Sequence, residues 1–92
     1  MDKVHLTKRE KEIIVLLASK NYKLDDSSSD FAELEHLEYI GLCKGIKCEF
    51  GGYLDYKLTP TAKAYLFENP KLKDPSIFED SKFWIGLVAN IL

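Results

Sequence analysis

The sequence predicts a small α+β domain, and three patterns lead to that prediction: apolar residues at helical spacing, a glycine pair between two β-like runs, and an apolar C-terminal segment. The chain has 92 residues, of which 46% are hydrophobic and 30% are charged. This composition is typical of an ordinary folded domain and not of a disordered or fibrous chain. We expect one core built from three helices, a β-hairpin and a further apolar helix at the C-terminus.

The first helix has a clear start signal. Thr7 and Glu10 have the spacing of a capping box, in which each side chain accepts a hydrogen bond from the backbone N–H of the other residue. The pattern predicts a helix that runs to about Lys20 and turns one apolar side to the core. Residues 21–29 contain two aspartates and three serines, which favour turns, so we predict a loop there.

A second helix is predicted to begin after a capping residue at 28–30 and to end at Ile40. Gly41 follows, and glycine is the residue that most easily takes the left-handed conformation after a helix. The outer side of this helix is acidic, because residues 24–42 include six carboxylates and no lysine or arginine.

Two β-like runs, residues 42–50 and 54–59, are predicted to form a hairpin around Gly51 and Gly52. A three-residue loop with a glycine at positive φ gathers the apolar residues of both runs on one face. The predicted register pairs Phe50 with Leu54, Cys48 with Tyr56 and Ile46 with Leu58.

The third helix is predicted to start at Thr59 as N-cap with Pro60 in the first turn, and to stop before Asn69, which precedes a proline. A linker rich in proline and lysine follows to residue 75. Residues 83–92 are almost all apolar, and Asp80 and Ser81 can cap them as a helix. We therefore divide the chain into residues 1–69, a domain, and residues 70–92, a linker and C-terminal apolar helix.

Two motifs flank the hairpin. They are Leu34-x-x-Leu37-Glu38-x-x-Gly41-Leu42 before it and Tyr56-Lys57-Leu58-Thr59-Pro60-x-Ala62-x-Ala64-Tyr65-Leu66 after it. With the helix at the start of the chain, this order resembles winged-helix transcription regulators of the MarR and PadR type over residues 6–67. The resemblance implies a winged-helix-like domain in which the second helix is the recognition helix and the hairpin is the wing.

The chain departs from that family in two ways that bear on function. The segment between the first helix and Gly41 is short, so one helix of the usual helix-turn-helix is shortened or lost. A recognition helix in the major groove also needs cationic or amide side chains on its exposed side, whereas here that side is acidic and DNA phosphates repel it.

We therefore interpret the chain as a non-enzymatic winged-helix module that acts in regulation through protein–protein interaction and that self-associates as a homodimer. An acidic helix face and the apolar tail are the candidate contact surfaces. The residues are Glu33, Glu35 and Glu38 on the helix and Phe83, Trp84, Leu87, Val88 and Ile91 in the tail.

The alternative is a transcriptional regulator that contacts DNA mainly through its wing. Six cations in the first helix and the hairpin could meet phosphates. They are Lys8, Arg9, Lys11, Lys44, Lys47 and Lys57. The net charge of −2 favours instead a solvated surface for these side chains.

The apolar tail has three interpretations: it packs on the domain's own core, it pairs with its copy in a homodimer, or it begins a membrane anchor. As a helix it reaches about 15 Å, against roughly 30 Å of hydrocarbon, so membrane association requires that the segment continue beyond residue 92. Packing and dimerisation are the favoured interpretations, because Gly86 and Asn90 interrupt the apolar run.

No catalytic residue, metal site or cofactor is predicted. Cys43 and Cys48 have four residues between them, and neither His5 nor His36 lies at a zinc-site spacing from them, so we interpret both cysteines as buried hydrophobic residues. Residues 1–9 lack a secretory signal pattern, so we expect a cytoplasmic protein with reduced thiols.

Overall fold

The computed structural model describes residues 5–49 and 51–91. These residues form the predicted α+β fold, four helices and one two-stranded antiparallel hairpin, and the arrangement is compatible with a small winged-helix-like domain. In chain order the elements are α1 (Lys8–Ala18), α2 (Phe31–Tyr39), β1 (Cys43–Lys47), β2 (Tyr53–Leu58), α3 (Pro60–Phe67) and α4 (Ser81–Ile91).

The predicted start of α1 and the predicted end of α2 are confirmed. Thr7 Oγ1 accepts a hydrogen bond from Glu10 N at 3.1 Å, and Glu10 Oε1 accepts one from Thr7 N at 2.8 Å. After α2, Gly41 has a φ of +89°, and Leu42 N donates to Leu37 O at 3.0 Å. Because a glycine takes this φ without steric cost, the chain can turn directly from α2 into the hairpin.

The connection between α1 and α2 contains one 3₁₀ turn, Leu24–Asp26, where the sequence predicts a loop. Its serines fasten the tip of the hairpin. Ser27 Oγ accepts a hydrogen bond from Tyr53 N at 3.0 Å, and Ser28 Oγ donates to Gly51 O at 3.2 Å. A Cβ on Gly52 would lie 2.7 Å from Ser27 Oγ, so only glycine lets the two segments approach this closely.

The predicted hairpin register is wrong. The observed Cα partners are Cys43 with Leu58, Lys44 with Lys57, Ile46 with Leu54 and Lys47 with Tyr53. The predicted positive φ is confirmed at both glycines of the turn, Gly51 and Gly52, whereas the pairing predicted for Phe50 lies outside the described residues.

A β-bulge in β2 explains the difference. Asp55 has a φ of +50°, and it and Tyr56 together lie opposite the single residue Gly45. The extra residue breaks the two-residue alternation of the strand, so Tyr53 and Tyr56 both turn to the core. Leu54 stays outside with 57% of its surface exposed.

One hydrophobic core includes residues from both of the predicted segments. Ile13, Leu37 and Leu66 are buried in it, and so are Ile77 and Leu87 from beyond residue 69. The predicted linker contains one 3₁₀ helix, Pro70–Lys73, and a second one, Pro75–Glu79, follows from its last residue.

The C-terminal helix packs on the core of its own chain. Asp80 caps it as predicted, because its carboxylate accepts a hydrogen bond from Phe83 N at 3.1 Å. Trp84 Nε1 donates to Ile77 O at 2.6 Å, and Tyr65 Oη donates from α3 to Phe83 O at 3.2 Å.

The tail residues predicted to meet a partner are therefore used inside the chain. Phe83, Trp84, Leu87 and Val88 are buried, and Ile91 packs beside Gly41. The helix has one apolar side, and that side is already covered by α3 and the 3₁₀ segment. Among the described residues, no helix has both the length and the apolarity needed to cross a membrane.

Truncation of Trp84 tests this packing. We expect Trp84→Ala to lower the free energy of unfolding by about 3–5 kcal/mol, because it removes a large buried side chain. Trp84→Phe keeps a ring but leaves the Ile77 carbonyl without its donor, at a cost of about 1–2 kcal/mol. Urea unfolding followed by circular dichroism measures both.

Ile85→Ala is the matched control on the same helix, because Ile85 is 63% exposed. Its effect should stay within about 0.5 kcal/mol. Equal losses for Trp84→Ala and Ile85→Ala would contradict packing of α4 on its own core.

Candidate binding groove

Most of the six cations predicted to contact DNA instead contact groups of their own chain. Lys11 Nζ donates to Phe78 O at 3.3 Å and lies 5.7 Å from the centre of the Trp84 ring. Lys57 Nζ lies 3.6 Å from Asp55 Oδ2. Arg9 and Lys47 are paired with carboxylates as described next, so among the described residues only Lys8 and Lys44 of the six make no side-chain contact of these kinds.

Arg9 belongs to a network with Asp30 and Tyr22. Its Nη2 and Nε donate to the two carboxylate oxygens of Asp30 at 2.7 and 3.0 Å, and Tyr22 Oη donates to Asp30 Oδ2 at 2.9 Å. The hydrogen bonds from Arg9 hold the pKa of Asp30 below its usual value. Arg9 is one of the six cations for which the net charge favours a solvated surface, whereas the structure joins α1 to α2 through its pairing with Asp30.

A second polar pair lies further along the same two helices. The Glu10 side chain is 2% exposed, and its Oε2 lies 2.5 Å from His36 Nδ1. His36 therefore has a carboxylate partner in its own chain. No group of three histidine, cysteine or acidic side chains that could hold a metal ion occurs in the described ranges.

The acidic face of α2 contacts the hairpin. Lys47 Nζ from β1 lies 3.1 Å from Glu35 Oε2 and 3.9 Å from Glu38 Oε1. Tyr53 Oη also donates to Glu38 Oε1 at 3.2 Å. Two of the three glutamates predicted to meet a partner are thus engaged by the chain itself, and Glu33 is half-buried.

The cysteines lie in different environments. Cys43 is buried, as predicted, and burial raises the pKa of its thiol to about 12, so little of the nucleophilic thiolate forms near neutral pH. Cys48 lies in the hairpin turn and is only half-buried, which corrects the prediction that it is a core residue.

An open apolar groove lies on the side of the molecule formed by the end of α1, β2, α3 and the 3₁₀ helix Pro70–Lys73. Its volume is about 730 Å³. Its apolar lining includes leucines 17, 58, 66 and 72 and the rings of Tyr22 and Tyr56. Volumes of this order are typical of ligand sites.

Two large apolar side chains along the groove are exposed to solvent. Phe67, at the end of α3, is 91% exposed, and Leu24, in the 3₁₀ turn after α1, is 39% exposed. Large apolar side chains that are exposed beside an apolar groove are more typical of binding sites than of surfaces that face only solvent.

Four lysines surround the apolar surface of the groove. They are Lys20, Lys57, Lys63 and Lys73, and we call them the lysine rim. The described residues that line the groove include no aspartate or glutamate. Lys20, Lys63 and Lys73 also have no ion-pair partner within residues 5–49 and 51–91, so the rim carries uncompensated positive charge in a chain whose net charge is −2.

Lys20 has an unfavourable backbone conformation. Its φ is +61°, and it occupies the left-handed position after α1, where Asn21 N donates to Leu16 O at 2.8 Å. Glycine is the common residue at such a position because a Cβ there costs energy. The backbone of Lys20 is therefore locally strained. Strained residues of this kind cluster at functional sites.

Sequence reasoning does not find the groove, because its lysines come from four separate segments. Of the rim, only Lys57 is among the six predicted DNA-binding residues. Comparison of the chain with protein-family models, with curated proteins and with solved structures finds no match in any of the three.

The Asp30 network gives a pH-dependent expectation. Because the pKa of Asp30 is lowered in the folded state, its contribution to stability is present above its unfolded pKa and is lost as pH falls through the folded pKa. Asparagine cannot carry this charge. We expect Asp30→Asn to lower the free energy of unfolding by about 2 kcal/mol at neutral pH, and by less at pH 3.

Urea unfolding at the two pH values measures this difference, with Asp26→Asn as the control because Asp26 is exposed. A loss that is the same at pH 7 and at pH 3 would show that the charge of Asp30 contributes nothing.

Proposed function

We propose that this chain is a non-enzymatic, winged-helix-like module that acts in regulation by binding another protein in the groove. The observation that carries the proposal is the exposure of Phe67 beside an apolar groove of about 730 Å³. A single exposed ring is unremarkable, but a ring that extends an apolar groove provides an anchor of the kind found at the centre of protein interfaces.

The other predicted contact surfaces support this choice by elimination. The apolar side of α4 is covered by its own chain, and the acidic face of α2 binds Lys47 and Tyr53 of the hairpin. A partner at either surface would first have to displace contacts that the fold already makes. The groove needs no such displacement.

Affinity enrichment tests the proposal. The purified chain, Phe67→Ser and Ile85→Ser would each be immobilised and exposed to nuclease-treated extract of the source organism. We expect wild type and Ile85→Ser to retain a protein that Phe67→Ser retains at least about tenfold less, because loss of a hot-spot aromatic ring costs 2 kcal/mol or more. The retained protein would then be purified and titrated calorimetrically against the three chains.

Ile85→Ser is a fair control because Ile85 and Phe67 are both exposed apolar side chains on helices, and neither variant should unfold the domain. Identical retention on all three chains would contradict binding through the groove.

DNA binding through the hairpin is the alternative function. Lys44 lies directly opposite Lys57, and like charges in opposed cross-strand positions destabilise a hairpin. Asp55 offsets the charge of Lys57, whereas Lys44 has no ion-pair partner among the described residues, so Lys44 favours the alternative. The engagement of Arg9 and Lys47 by carboxylates counts against it. With two or three phosphate contacts, log affinity would fall against log salt with a slope of about −2.

A further inference from the structure

The lysine rim restricts the chemistry of whatever fills the groove. A basic segment would meet like charges at the rim, and a neutral apolar segment would leave the lysine charges partly desolvated without partners. An acidic segment supplies carboxylates to three lysines that have no partner in the described chain. Charge complementarity therefore selects an anionic occupant.

The volume of the groove sets the size of the occupant. A helix with its side chains is about 10 Å across, and one sunk to half of its cross-section would fill the groove volume of about 730 Å³ over roughly 19 Å, or about 12 residues. The molecule measures 36 × 31 × 22 Å, so such a helix fits on one side of it. A helix of this length presents one apolar stripe and keeps its other side in water.

We propose that the groove binds an acidic amphipathic helix of another protein, an inference that rests on the proposed function. The apolar stripe of that helix packs on the leucines of the groove and on Phe67. Its glutamates or aspartates pair with Lys20, Lys63 and Lys73, as in other helix-in-groove complexes where spaced apolar anchors set the position.

The position of Lys20 is consistent with this role. Glycine at residue 20 would relieve the strain of its positive φ, so lysine there costs stability and adds positive charge to the rim. Lys20→Gly is therefore expected to raise the temperature of unfolding by about 3–6 °C and to weaken binding of the acidic partner. A merely structural lysine would not produce both effects.

Two matched peptides test the inference by fluorescence anisotropy. Each has about 14 residues with leucines at helical spacing, and the remaining positions are glutamate in one peptide and lysine in the other. We expect the acidic peptide to bind the wild-type chain with micromolar affinity and the basic peptide to bind at least about tenfold more weakly.

Charge-reversal variants locate the contact. Lys63→Glu combined with Lys73→Glu should weaken the acidic peptide at least about fivefold and strengthen the basic one. Lys8→Glu combined with Lys82→Glu changes the net charge of the chain by the same amount at two exposed lysines that do not line the groove, and should change neither affinity by more than about twofold.

The possible failures can be told apart. The inference fails if both peptides bind the wild-type chain equally, or if the two double variants weaken binding of the acidic peptide equally. If Phe67→Ser still abolishes binding in that case, the partner is not acidic but the groove still binds protein. The inference is also overturned if the acidic peptide shows no binding at concentrations up to about 1 mM. A dissociation constant of that size corresponds to a binding free energy of about −4 kcal/mol.

Two other polyanions serve as competitors. Mixed-sequence duplex DNA, or vesicles of phosphatidylglycerol and phosphatidylcholine, could use the same lysines. If either binds more tightly than the acidic peptide and loses affinity in Lys63→Glu/Lys73→Glu, the groove recognises a nucleic acid or a membrane surface, and both the inference and the proposed function fail.

Discussion

The packing of α4 against α3 is the contact on which the rest of the structure depends. A chain of 92 residues has one small core, and burial of a large apolar side chain such as Trp84 contributes about 2–3 kcal/mol toward a typical total of 5–15 kcal/mol. The indole also gives its N–H to the Ile77 carbonyl, so the helix is fixed in position as well as buried. Without α4, the buried side chains of α3 would lose the helix against which they pack.

This packing also decides which surface is left for a partner. Ala62 and Leu66 of α3 enter the core, Tyr65 contacts α4 through the Phe83 carbonyl, and Phe67 is therefore left on the open side beside the groove. The glutamates of α2 pair with Lys47 of the hairpin. The chain thus uses much of its acidic surface internally and leaves lysines exposed around an apolar groove.

The sequence predicts those features whose cause is local. The caps at Thr7, Gly41 and Thr59 are correct because each depends on a few adjacent residues. The hairpin register is not predictable in this way, since the bulge at Asp55 depends on how Tyr56 fits against Gly45 across the strands. Helical periodicity also places Arg9 and Asp30 on outward sides without showing that the two sides meet. The groove cannot be predicted from local sequence patterns, because its lysines come together only when four segments of the chain have packed.

The most direct measurement is a titration of the isotope-labelled chain with the acidic peptide, followed by two-dimensional NMR. If the groove is the binding surface, chemical shifts should change at Leu24, Lys63 and Phe67 and in the segment Pro70–Lys73, while the outer face of α2 stays unchanged. Shift changes centred on Glu35 and Tyr39 of α2, or on the exposed pair Ile46 and Leu54 of the hairpin, would contradict binding in the groove.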